Sequence, residues 1–220
     1  MTALYDMKIY FIRHGETDWN RDMRFQGRMD TELNDTGRAQ AARAAEEARS
    51  ESVCFDRIYC SPLRRAAETA KIVTGKDPSE FIFDDRLKEM AFGDYEGTLI
   101  IPSMEDPAMK AFLEQPYDFP PPEGIESLYH VQERMAEALA DILSECAKTA
   151  PMGDQAAPAY ETSILICSHG MAISALFRHI YEINGLEPQR IPVKNARLYV
   201  SAVSEGIPQV PVRLCPGEDQ

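Results

Sequence analysis

Short apolar runs alternate with helical patterns along the chain. The apolar runs predict strands at residues 7–13, 57–60, 164–167 and 197–203, the last being expected as the final strand, and a further element near residues 81–86. The stretches at residues 37–49, 63–74, 127–147 and 171–183 are expected as helices. This alternation predicts an α/β fold, in which helices cover both faces of a mainly parallel central sheet.

The helix expected at residues 127–147 has apolar side chains at helical spacing, which favours core packing, at Leu128, Val131, Met135, Leu139, Ile142 and Leu143. Two other stretches break the alternation. Residues 152–158 are rich in Ala, Pro, Gly and Asp and are predicted as an exposed loop. Residues 98–126 contain prolines that interrupt helix, at Pro102, Pro107, Pro116, Pro120, Pro121 and Pro122.

Length and composition favour one soluble domain spanning residues 1–220, because 220 residues with 44% hydrophobic side chains can cover one sheet. The chain has no run of about 18 apolar residues, and its start does not resemble a signal peptide, so a cytoplasmic location is expected. A formal net charge of −13 argues against nucleic acid or an anionic membrane as partner.

The five cysteines are scattered, without the spacing of a metal site or a disulfide framework, and are predicted as reduced core thiols. Apolar side chains at Ile180, Ile183 and Leu186 are expected to pack in the core, although they could also mark a dimer face. The sequence leaves monomer and homodimer open.

The candidate chemistry lies where predicted strands end. Arg13-His14-Gly15 follows the first strand, and Ser168-His169-Gly170 follows the strand at residues 164–167. Pro62 suits the first turn of the helix that follows the strand at residues 57–60, and Arg65 falls within that turn. Open α/β sheets bind their ligands at the carboxyl ends of strands, and arginine forks suit phosphoryl oxygens. These positions therefore indicate a phosphate site.

These stretches resemble the histidine phosphatase superfamily, also called the phosphoglycerate mutase-like family. Its motif reads Arg-His-Gly-(Glu/Gln)-(Thr/Ser), with a second His-Gly far downstream. Further blocks of the chain resemble the family in the same order and at about the same spacing, at residues 24–27, 61–70, 89–97 and 121–127. The resemblance covers nearly the whole chain. It implies a three-layer sandwich and a lid inserted at residues 98–126 that sets substrate choice.

The resemblance also implies the roles of individual residues. His14 is expected to attack phosphorus, with its second ring nitrogen donating to the Gly15 carbonyl. Arg13 and Arg65 would hold the phosphoryl oxygens, and His169, if protonated, would add a third positive contact. Glu89 is the expected general acid and base, because a phosphate dianion bound nearby favours the protonated carboxyl. The phosphate-binding loop is expected to include Asn20, Gln26 and Gly27, along with Arg24.

Three functions are weighed: a metal-independent hydrolase of small phosphate monoesters, a phosphoglycerate mutase, and a weakly catalytic regulator that binds phosphorylated ligands. Mutases of the family carry an Arg after the catalytic Glu and basic residues in the insertion, whereas this chain has Met90 and only Lys110. Hydrolysis is therefore favoured, and the chain looks like broad-specificity and α-ribazole phosphatases, with sugar bisphosphatases also open. The intact set of His14, Arg65, Glu89 and His169 counts against the regulator.

No cofactor is expected. A metal at His14, Glu16 and His169 would have no convincing third and fourth ligand beside the two histidines, so no metal is predicted either. The expected partner is a small phosphorylated metabolite. Apolar residues of the insertion could line a pocket for a hydrophobic ester or pack the lid, namely Met104, Met109, Phe112, Leu113 and Tyr117.

Overall fold

The computed structural model describes residues 7–149, 162–189 and 191–215, so the loop expected at residues 152–158 lies outside the described residues. The strands are β1 (Met7–Arg13), β2 (Arg57–Cys60), β3 (Ile82–Phe83), β4 (Thr162–Ser168), β5 (Leu198–Ser204), β6 (Ile207–Pro208) and β7 (Val212–Arg213). The helices are α1 (Asp18–Arg21), α2 (Asp35–Ser50), α3 (Arg64–Thr74), α4 (Ile100–Ser103), α5 (Pro107–Glu114), α6 (Leu128–Thr149) and α7 (Gly170–Ile183).

The strands form one sheet in the order β3-β2-β4-β1-β5-β6, with β7 also paired to β5. Strands β1 to β4 run parallel to one another, whereas β5 runs antiparallel to β1. The predicted mainly parallel sheet is confirmed. The expectation that residues 197–203 form the final strand is wrong, because two short strands follow and pair with β5.

Helices cover both faces of the sheet, as predicted. Alternate side chains of β1 point to opposite faces, because a strand repeats every two residues. Ile9 and Phe11 lie in the cluster formed with α6 and α7, while Tyr10 and Ile12 lie in the cluster formed with α2 and α3. Met135 of α6 and Ile180 of α7 are fully buried, whereas the exposed Ile183 and Leu186 correct the expectation that they pack in the core.

The backbone of helix α2 packs directly against the backbone of the turn after β1. The Asn34 side chain caps it by accepting from the Gly37 amide at 2.8 Å. A Cβ at Gly37 would lie 2.1 Å from the Glu16 carbonyl oxygen, and one at Gly15 would lie 2.4 Å from the Gly37 oxygen. Both glycines are therefore required for this packing, which fixes the turn directly after β1.

Several helix ends differ from the expected ones by one or two residues, because caps decide where a helix begins. Pro62 lies before the first turn of α3, since Leu63 is its N-cap, but Arg65 does fall within that turn. Pro107 begins α5 instead of breaking it, because Asp106 caps the helix and proline suits its first position. The short helix α1 carries Asn20, which was expected in a loop.

The cysteines only partly match the expected core thiols. Cys60, Cys146 and Cys167 are buried, but Cys54 is exposed and Cys215 is half-buried. Cys54 lies in the connection before β2, where its neighbours leave it open to solvent. Within the described residues, no helix combines the length and the apolar character needed to cross a membrane.

Candidate active site

Two histidine rings lie side by side at the carboxyl ends of β1 and β4. The parallel register pairs Arg13 with Ser168, so the next residue of each strand is a histidine. The centroids of the His14 and His169 rings are 5.2 Å apart, and both residues are buried. The His14 amide donates to the Ser168 carbonyl at 3.1 Å, which holds the two strand ends together.

His14 is held in one tautomer. Its Nδ1 lies 2.7 Å from the Gly15 carbonyl oxygen, and because a carbonyl only accepts, Nδ1 must carry the proton. Burial, followed by the charges of Arg65 and Arg13, lowers the pKa of His14 well below its usual value, although the bond to Gly15 opposes this. The ring is therefore neutral near pH 7, and its lone pair lies on Nε2.

Two arginines flank the histidines and are anchored by backbone carbonyls. Arg65 is fully buried and donates to Gly27 O at 2.8 Å and Met29 O at 2.7 Å. Arg13 donates to Val193 O at 3.0 Å. Burial lowers the pKa of Arg65 to about 10, an effect that the charge of Glu89 opposes, so the guanidinium stays protonated near pH 7. In the described part of the chain, the buried Nε of each arginine has no hydrogen-bond partner.

The Glu89 carboxylate lies at the N-terminus of α7. Its oxygens accept from the amides of Ala172 at 3.1 Å and Met171 at 3.2 Å, and from the Met90 amide at 2.9 Å. Free amides and the helix dipole stabilise a negative charge at such a position. Glu89 is only 8% exposed, and its negative charge acts on both Arg13 and Arg65.

His169 is the N-cap residue of α7, and its Nε2 lies 2.8 Å from the Ser61 hydroxyl oxygen. Its Nδ1 is buried and lacks a partner among the described residues. Burial, then the charges of Arg65, His14 and Arg13, lower the pKa of His169 well below its usual value. These surroundings favour a neutral ring, so the protonation that would make His169 a third positive contact is disfavoured here.

The three residues expected to complete a phosphate loop make contacts within the protein. Asn20 Oδ1 accepts from the Thr17 amide at 3.2 Å. Gln26 Oε1 accepts from the Thr31 hydroxyl at 2.8 Å. Gly27 adopts a left-handed backbone with φ of 51°, and its carbonyl orients Arg65. Their direct contact with phosphate stays a prediction.

Sequence reasoning gave no role to three other residues that support the site. The Thr69 hydroxyl accepts from the Gly15 amide at 3.0 Å and donates to the Arg65 carbonyl at 2.6 Å. Asn195 donates to the His14 carbonyl at 2.9 Å, and Ser61 contacts His169 as described above. The spacing of four between Arg65 and Thr69 on one helix face was a usable signal, but nothing near Asn195 in sequence marks it.

No group of three or more His, Cys, Asp or Glu side chains within residues 7–149, 162–189 and 191–215 is arranged to hold a metal ion. Glu16, considered above as a ligand, accepts from the Asn34 side chain at 3.0 Å. The independence of the activity from metal stays a prediction.

Comparisons with known proteins agree with this geometry. Residues 9–212 match the model described as Histidine phosphatase superfamily (branch 1). "Phosphoglycerate mutase-like protein 4" from Arabidopsis thaliana is 39% identical over 61% of this chain and 60% of its own length. "Probable phosphoglycerate mutase GpmB" from Salmonella arizonae is 30% identical over 87% of this chain and 83% of its own length. A mutant phosphoserine phosphatase from Entamoeba histolytica, solved with phosphoserine, superposes with a TM-score of 0.70 at 28% identity over 94% of each chain.

Proposed function

Since the chain belongs to the histidine phosphatase superfamily, we propose that it hydrolyses small phosphate monoesters through a phosphohistidine on His14. The observation that best supports this proposal is the state of His14. Its ring is neutral, and the one proton on its two ring nitrogens is donated to the Gly15 carbonyl. Such a ring has one nucleophilic nitrogen, Nε2, and cannot attack through the other.

The groups around His14 suit a phosphoryl dianion. The guanidinium groups of Arg13 and Arg65 supply charge, and each retains a buried Nε without a partner among the described residues. Charged donors fixed in advance around phosphoryl oxygens supply most of the catalysis in phosphoryl transfer. His169, whose ring lies beside that of His14, adds a third buried nitrogen without a partner among the described residues, its Nδ1.

The proposed reaction has two steps. In the first, His14 Nε2 forms a bond to phosphorus while the bond to the ester oxygen breaks, and Glu89 gives that oxygen its proton. In the second, the Glu89 carboxylate takes a proton from water, whose oxygen attacks phosphorus and releases phosphate and neutral His14. The amides of Met171 and Ala172 hold the Glu89 carboxyl group at the N-terminus of α7 for both proton transfers.

Hydrolysis is proposed over mutase activity because cations for a substrate carboxylate are scarce. Met90, which follows Glu89, is fully buried in the core. Lys110 is exposed on α5 and lies 4.0 Å from Glu114. The mutase alternative keeps support from the names of the two sequence relatives, whereas the structural relative is named as a phosphatase.

We assign substrate choice to residues 98–126. Their first part is tied to the loop after α1, because the Ile100 amide donates to the Met23 carbonyl at 2.8 Å and Leu99 forms a bridge with Arg24. This loop continues to Gly27, which contacts Arg65. A change in the segment can therefore alter what reaches the phosphate site.

The test is phosphate release from a panel of phosphate monoesters with a chelator present. The parent chain, His14→Ala and the matched control His179→Ala are compared, because His179 is a half-buried histidine near the C-terminal end of α7, away from His169 at its N-terminus. We expect release by the parent and the control, none by His14→Ala, and an acid-labile phosphoprotein in quenched reactions of the parent. Activity that the chelator abolishes and a divalent ion restores would refute metal independence. Interconversion of phosphoglycerates without phosphate release would favour the mutase.

A further inference from the structure

The segment that carries Glu89 is held by side chains instead of by regular backbone pairing. After the 3₁₀ turn at Asp85–Leu87, the chain runs without helix or strand to residue 92. The four consecutive carbonyls of residues 86–89 all accept from side chains, because Ser168 donates to Leu87 O at 2.7 Å and Arg134 donates to the other three. Buried carbonyls need such partners.

Arg134 of α6 uses nearly its whole guanidinium for this purpose. It is 7% exposed, and its Nη1 donates to the carbonyls of Arg86 and Lys88, the latter at 2.7 Å. Its Nη2 donates to the Glu89 carbonyl at 3.1 Å. Arg65, by comparison, donates to two carbonyls, those of Gly27 and Met29.

Glu126 completes the arrangement from the other side. Its carboxylate accepts from Arg134 Nε at 2.9 Å and from the Ala91 amide at 3.0 Å, and its own amide donates to the Ala91 carbonyl at 2.9 Å. Although burial opposes it, the hydrogen bonds from Arg134 and Ala91 lower the pKa of Glu126, so this carboxylate is ionised near pH 7.

We propose that Arg134 and Glu126 are positioning residues that set the place of Glu89 for proton donation to the leaving oxygen. This rests on the proposed function. Neither side chain contacts the Glu89 carboxyl group: Arg134 reaches only its main-chain carbonyl, so the effect passes through the backbone. Proton transfer requires the carboxyl within about 2.6–3.2 Å of the ester oxygen, and a displacement of about 1 Å costs on the order of 100-fold in rate.

A pair of esters separates proton donation from every other contribution. An alkyl phosphate needs a proton on its leaving oxygen, whereas 2,4-dinitrophenyl phosphate expels a stable anion without one. Glu89→Gln gives the reference, with an expected loss on the order of 10²- to 10⁴-fold in kcat/KM for the alkyl ester and a small loss for the aryl ester. The kcat/KM value is used because it reports formation of the phosphohistidine.

For Arg134→Lys we also expect a loss of kcat/KM that is selective for the alkyl ester, but smaller than in Glu89→Gln. The alkyl ester should lose roughly 10- to 100-fold in kcat/KM and the dinitrophenyl ester less than about threefold, with the KM of both nearly unchanged. The matched control is Arg57→Lys. Arg57 of β2 forms an ion pair with Glu145, which lies further along α6 than Arg134. It should leave the ratio of the two esters as in the parent.

Equal losses for both esters in Arg134→Lys, or no loss, would overturn the positioning role. If Glu89→Gln lowered kcat/KM equally for both esters, Glu89 would not be the proton donor, and the positioning inference would fail with that part of the proposed function. If Glu89→Gln were selective for the alkyl ester but Arg134→Lys were not, only the positioning inference would fail. Should Arg134→Lys not fold in a thermal melt, Glu126→Gln provides the second variant. It keeps the shape of the side chain but removes the charge that holds Arg134, and its loss should again be confined to the alkyl ester.

Discussion

The two buried histidines predict a specific dependence of stability on pH. Burial and nearby arginines lower the pKa of both His14 and His169 well below the ordinary value, so both rings are neutral in the folded chain. In the unfolded chain each ring takes up a proton as the pH falls below about 6.5. The unfolded state then binds more protons, so stability rises with pH through this window and is lost as the pH falls.

The size of the effect follows from the number of rings. For a ring that stays neutral when folded, lowering the pH from about 8 to about 5.5 costs about 1.4 kcal/mol of unfolding free energy, so the two together cost about 2.8 kcal/mol. His14→Asn keeps a donor near the Gly15 carbonyl, and His169→Gln keeps a polar group near Ser61. Neither replacement can take up a proton.

The assay is urea unfolding at the two pH values. The difference in unfolding free energy between them should shrink by about 1.4 kcal/mol in each single variant and by about 2.8 kcal/mol in the double variant. A double variant with the pH dependence of the parent would refute the neutral, buried state of both rings.

Three further predictions concern packing and reactivity. Gly37→Ala should destabilise the chain by about 1–3 kcal/mol in urea unfolding, because its Cβ would meet the Glu16 carbonyl, although alanine normally favours a helix over glycine. Phe112→Ala should cost about 3–5 kcal/mol in the same assay and leave the order of preferred esters unchanged; a stable variant with a new preference would instead place Phe112 in the substrate pocket. Native thiol labelling should show a fast phase whose amplitude falls by one thiol per chain in Cys54→Ser, whereas Cys60 reacts only after unfolding; an unchanged amplitude would contradict the exposure of Cys54.

Much of the fold could be predicted because the apolar pattern is strong along the chain. Strands β1 and β4 are short, continuous buried runs, and α6 carries apolar side chains at helical spacing. The direction of β5 could not be predicted, because an alternating run looks the same whichever way the strand points. Strands β6 and β7 have two residues each, too few for any periodic signal.

The candidate site divides in the same way. His14 and His169 directly follow apolar runs, so their place at strand ends could be read from local pattern. The role of Arg134 could not be predicted from local pattern, because Arg134 is 45 residues from Glu89 in sequence. In the sequence it is one charged residue of α6 beside another, Glu133. Only the packing of α6 against the segment after β3 separates a buried guanidinium from an exposed carboxylate.

The arginines give the site two properties at once. Together with burial, the charges of Arg65 and Arg13 keep His14 unprotonated, and these charges also attract a phosphoryl dianion. Before binding, these surroundings favour a neutral ring at His14, whose tautomer the Gly15 carbonyl holds. In the proposed reaction the same two arginines would then hold the phosphoryl group against His14 Nε2, while Glu89, held by the amides of α7, would serve the leaving oxygen. The proposal therefore places the nucleophile and the proton donor in one preformed arrangement.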